Sequence, residues 1–189
     1  MPRTRFPHPN DTMSKASTTF NTSIEDASIL LGLFDEVHKA SPERAEVLKR
    51  AGLVIALTAW ETYVEDRLHE AVQIRLRAVA GSSIGHFVSH KLADELKRLH
   101  NPTPEKTKQL FMDFLEVDVT SRWKWDNYSV PEARKALSQL IAKRGEAVHR
   151  SKPAKSGAPA PDLVKREDLE KAIRFLRGLV AATEKALAE

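Results

Sequence analysis

An arginine set inside an apolar helical stripe is where chemistry first shows in this sequence. Between Pro131 and Arg150 the apolar residues Leu137, Leu140, Ile141 and Val148 recur at helical spacing. Arg144 falls among them, three residues after Ile141 and four before Val148. Burying a guanidinium is expensive unless it meets an anion or a dense set of acceptors. Either Arg144 has a carboxylate partner in the core, or the stripe lines a cleft or interface that admits a phosphate. His149 follows five residues on, about 140° around the helix and about 7.5 Å along it, so the two side chains diverge. A compact site using both is easier to build when a second copy of the helix packs alongside across a two-fold axis. A homodimer is the economical arrangement.

Other chemically capable residues are more scattered. Glu61, Glu65 and Asp66 follow an apolar run, with Glu61 and Glu65 on one helix face and Glu65 also facing His69. One of them could neutralise Arg144 or orient His149; the other reading is a solvated acidic face. His86 and His90 share the i,i+4 spacing of a metal pair, but no third ligand stands at a fixed spacing from them, and no metal or cofactor is expected. Trp123, Trp125 and Tyr128 lie beside a basic helix, where they could stack on bases or anchor a loop to the core; the anchoring reading is favoured.

Helices must position these residues. The first is expected from Ser23, whose cap precedes Glu25 and Asp26 and then Leu30, Leu31, Leu33, Phe34 and Val37. A long second helix starts at Ser41-Pro42 and runs to about Val79, with Gly81 as its stop. Its middle, Leu53–Trp60, is apolar almost all round, so it is either central in a bundle or continues into a subunit interface. Shorter amphipathic helices are expected from Ser83 to His100 and from Pro104 to Val117, separated by Asn101-Pro102. The motif helix follows the irregular tryptophan-bearing stretch. A proline-, glycine- and alanine-rich loop then leads to a last helix, about Lys165–Ala188, with Leu169, Ile173, Leu176, Val180 and Leu187 on its apolar side. Short loops favour antiparallel neighbours, and the expected fold is an all-α, up-and-down helical bundle with one long central helix. The expected organisation is a flexible tail over residues 1–22 and one helical domain over 23–189, with residues 1–12, ahead of Met13, given no function.

Composition narrows the partners. The chain of 189 residues has no cysteine, which excludes disulfides and thiolate metal sites and suits a reducing, cytoplasmic location. Leu53–Trp60 is far short of the roughly 18 to 20 apolar residues a bilayer requires, and the N-terminus lacks an apolar signal core, so no membrane partner is expected. The net charge is +4, but Arg122–Lys155 holds nine Lys and Arg against three acids, a local balance of +6. That concentration suits either a polyanionic partner such as nucleic acid or a solvated charged helix face.

The segment Lys143-Arg144-Gly145-Glu146-Ala147-Val148-His149 matches the R-x4-6-H signature of HEPN ribonucleases. The apolar run followed by Trp60, Glu61 and Tyr63 resembles the long helix of the RiboL-PSP-HEPN subfamily. The Arg122-Trp123-Lys124-Trp125 stretch and the closing helix resemble that subfamily as well. Two positions depart from it. Gly145, a poor helix former, stands where many members carry a polar residue, and Arg150 stands where glycine is frequent.

The resemblance implies a metal-independent endoribonuclease that cleaves RNA by attack of the ribose 2′-hydroxyl on the adjacent phosphate. In that scheme His149 serves as general base or acid, and Arg144 holds the phosphate and its transition-state charge. Lys143 and Arg150 would contact RNA, and each protomer of a homodimer would contribute a histidine. Glu61, which matches the subfamily's tryptophan-glutamate pair, would neutralise Arg144 or orient His149. It implies a toxin or phage-defence effector with an antitoxin protein as partner. The alternatives are a HEPN module that binds RNA or protein without cutting, and a plain helical scaffold in which Arg144 is structural.

Overall fold

A computed structural model of the protein describes residues 14–149 and 164–188. Six helices make up the fold: α1 (Lys15–Val37), α2 (Pro42–Leu76), α3 (Ser83–Lys97), α4 (Pro104–Leu115), α5 (Val130–His149) and α6 (Arg166–Ala188). Short 3-10 turns at Arg77–Val79 and Val119–Arg122 join them, and the described residues contain no strand. The bundle is all-α, and α2 is its axis: it packs against α1, α3, α4, α5 and α6.

The first helix begins eight residues before the expected Ser23. Ser14 is its cap, accepting the Ser17 amide at 3.0 Å, and the buried stripe Ala16, Phe20, Ile24, Ala27, Leu31 and Phe34 runs through it without a break. Residues 15–22 are therefore part of the bundle and not of the expected tail, whose residues 1–13 lie outside the described residues. The continuous three-and-four spacing, not the nearest serine with acids after it, decides where the helix starts.

The apolar run of α2 is central in the bundle on one side: Leu53, Ala56, Leu57, Ala59 and Trp60 are buried, while Val54 and Ile55 are half-buried and Thr58 is exposed. Gly52 permits the tight crossing, since a Cβ there would lie 2.7 Å from Leu169 Cδ2 of α6. Ser41 makes no side-chain cap bond, leaving Pro42 to set the first turn of α2.

The tryptophan-bearing loop is pinned from inside. Trp123 is fully buried, donates to Thr183 Oγ1 at 2.9 Å and meets Trp60 edge-on at 5.9 Å. Trp125 and Tyr128 pack on Phe175 of α6. A Cβ at Gly178 would fall 2.6 Å from Trp125 Nε1, so the ring lies directly on the helix backbone. The loop is an anchor, as favoured above, and it fixes the start of α5.

Candidate active site

The buried line of α5 reads Ala133, Leu137 and Ala147, with Leu140 partly covered between them. Arg144 occupies the place in this line three residues before Ala147 and four after Leu140. Val148, expected in the stripe, is instead 49% exposed, because Ala147 takes the inward position. The helix continues through Gly145, poor helix former though it is, with open space where a side chain would be.

Two acceptors meet the Arg144 guanidinium, whose side chain is 23% exposed. Nη1 donates to Glu61 Oε2 at 3.3 Å and to Asn101 Oδ1 at 2.5 Å. Of the two sequence readings, a carboxylate partner is thus present. It is Glu61, the first residue after Trp60, on the turn of α2 where burial gives way to partial exposure. Both of these bonds use Nη1, which leaves Nε–H and Nη2 as further donors.

Asn101 was read in the sequence only as a break between helices. Its backbone sits in the left-handed region at φ 52°, a conformation asparagine tolerates better than most residues. The following carbonyl, Pro102 O, accepts the buried Trp60 indole N–H at 3.1 Å. A turn that separates two helices is thereby locked against α2, and its side chain reaches Arg144. The contact spans 43 positions, and only the Asn-Pro pair hinted at it.

Acidic residues collect along this part of α2. Burial, together with the charges of Glu61 and Asp66, raises the Glu65 carboxyl above its ordinary range, while His100 works in the opposite direction. His100 Nδ1 lies 3.9 Å from Glu61 Oε1.

The other expected residues are placed differently. Lys143 pairs with Asp168 of α6, and the two border a cavity of about 240 Å³ with Tyr128, Gln139, Leu140 and Phe175. The Lys143 hydrogen bond holds the Asp168 carboxyl below its usual range. His149 ends α5, but its side chain lies outside the described residues, as does Arg150. His86 and His90 are exposed, and among the described residues no group of three metal-ligating side chains forms. Among the described residues no helix is long and apolar enough to cross a membrane.

A family model described as RiboL-PSP-HEPN matches residues 21–189. No curated protein and no solved structure matches the chain.

Proposed function

The chain belongs to the RiboL-PSP-HEPN family, and from that premise we propose that it is a metal-independent endoribonuclease built around Arg144 and His149. HEPN domains commonly dimerise and bind RNA. The observation that carries the reading is Arg144 itself: a part-buried guanidinium held by Glu61 and Asn101, with Nε and Nη2 left over, five residues before a histidine on one helix.

A phosphodiester docking on those donors would meet a fork already oriented by two acceptors. The 2′-hydroxyl attacks phosphorus, the bond to the 5′-oxygen breaks, and Arg144 takes up the charge that grows on the non-bridging oxygens. His149 moves a proton as base or acid, with the equivalent residue of a second protomer for the complementary transfer. In this reading the protein is a cytoplasmic toxin or phage-defence effector, with an antitoxin protein as its natural restraint.

The Arg144–Glu61 pair favours a second reading, a HEPN module that binds RNA or protein without cutting, in which the ion pair only holds α5 to α2. One experiment separates them. Purified protein incubated with RNA in EDTA should give fragments ending in 2′,3′-cyclic phosphate. His149→Ala should lower the rate about 10²- to 10⁴-fold and keep most of the RNA affinity. RNA binding without any cleavage supports the module instead.

A further inference from the structure

Glu61 faces a different side chain with each of its oxygens. Oε2 takes Arg144 at 3.3 Å, and Oε1 faces His100 Nδ1 at 3.9 Å. The carboxylate is largely covered, at 18% exposure, whereas the His100 side chain is 75% exposed. An imidazole thus stands on the solvent side of the Arg144–Glu61 pair.

Its backbone is held on both sides. Asn101 next door is bound to Arg144, Pro102 O is bound to the Trp60 indole, and Lys106 Nζ donates to the His100 carbonyl at 2.6 Å. The turn that carries the ring is therefore fixed relative to the guanidinium, while the ring itself is open to a ligand. The charged groups facing it are Glu61, Glu65, Lys106 through the main chain, and Arg144 across the shared carboxylate.

We propose that His100, in place of the histidine of a second protomer, is the second proton-transfer residue of this site, the general base acting in the same protomer as Arg144. The inference rests on the ribonuclease reading. Nδ1 is the ring nitrogen near Glu61, at 3.9 Å, and Nε2 is the one left for substrate. Nε2 takes the proton of the 2′-hydroxyl as the bond from O2′ to phosphorus forms. The bond from phosphorus to O5′ breaks, its electron pair stays on O5′, and that oxygen takes a proton from His149, the acid. The products are a 2′,3′-cyclic phosphate and a 5′-hydroxyl, and proton exchange with water resets both rings. Arg144 Nε and Nη2 hold the non-bridging oxygens throughout.

The test uses the full chain and a fluorescent mixed-sequence single-stranded oligoribonucleotide, followed from pH 5 to pH 9. His100→Gln should lower kcat about 10²- to 10³-fold with KM little changed. It should also erase the acidic limb of the kcat/KM profile while the alkaline limb, assigned to His149, remains. His100→Ala should regain activity when free imidazole is added, a response no purely structural role produces. Wild-type cleavage that His149→Gln abolishes, but that His100→Gln leaves unchanged in rate and profile, overturns this inference and leaves the ribonuclease reading standing. Loss of activity in His100→Ala that imidazole does not restore also overturns it. A wild-type chain that cuts nothing overturns both.

Discussion

Asn101 holds a left-handed backbone, φ 52°, and offers its Oδ1 to Arg144 Nη1 at 2.5 Å. One residue therefore fixes the α3–α4 turn and the α5 guanidinium together. Left-handed geometry costs most side chains about 1–2 kcal/mol, and asparagine and glycine much less.

Substitutions at Asn101 should consequently separate backbone from side chain. Asn101→Gly keeps the turn and loses the bond; Asn101→Ala loses both. Thermal unfolding should rank wild type above Asn101→Gly and Asn101→Ala lowest, with about 1 kcal/mol corresponding to about 2–4 °C in a chain of this size. Both variants should cleave RNA more slowly. Equal melting temperatures for the glycine and alanine variants would remove the argument from φ.

At the Arg144–Glu61 pair, stability and activity should come apart. Arg144→Ala strands a largely covered carboxylate and should cost about 1–3 kcal/mol, read from denaturant midpoints. Adding Glu61→Gln removes the stranded charge and should recover part of that loss. Neither variant should cleave RNA, and Arg144→Ala should lower the salt slope of RNA binding by about 1. An active double variant would exclude Arg144 from the chemistry.

Glu65 gives a prediction in pH. Its folded carboxyl is raised, by burial first and then by Glu61 and Asp66, so the ionised form is penalised in the folded state only. That penalty is fully present above the raised folded value. It fades as pH falls through that value and is gone below the unfolded value near about 4.3. Glu65→Gln should thus raise the unfolding midpoint at pH 7, with the gain disappearing towards pH 4. A gain that persists unchanged at pH 4 would mean that its charge is not the cause.

Assembly is the next check. Most of Leu53–Trp60 is buried inside one protomer, so the proposed dimer rests chiefly on the Arg144 and His149 helix and on family habit. Sedimentation velocity at micromolar concentration should give a dimer. A monomer that still cleaves RNA would rule out a site shared between two copies.

Much of the bundle was legible because its helices carry unbroken apolar spacing and sharp stops at glycine and proline. Arg144 stood out for the same reason: a cation in an apolar line violates the pattern. Glu61 could be named because it follows Trp60 as in the family the chain resembles. Asn101 and His100 could not, since their roles come from contacts with residues dozens of positions away that no local spacing encodes. The start of α1 was misplaced because Ser23 with Glu25 and Asp26 imitates a cap, although Ile24 behind it is fully buried in a helix already under way. Lys143 looked free beside the motif because the acid that binds it, Asp168, sits on another helix.

The Glu184 carboxylate accepts the Ser14 hydroxyl at 2.7 Å, the Tyr63 hydroxyl at 2.9 Å and Arg67 Nε at 3.1 Å. Burial and that carboxylate push the Tyr63 hydroxyl up, so it stays protonated and keeps donating. Ser14 and Glu184 are 170 positions apart, which makes α6 the clasp on the first turn of the first helix. While the protein is being synthesised, α1 and α2 can pair early, but Ser14, Tyr63 and Arg67 wait for their shared acceptor until nearly the whole described chain has left the ribosome. A nascent chain stalled before α6 would present those donors, and the face of α2 that α6 covers, to whatever chaperone is near.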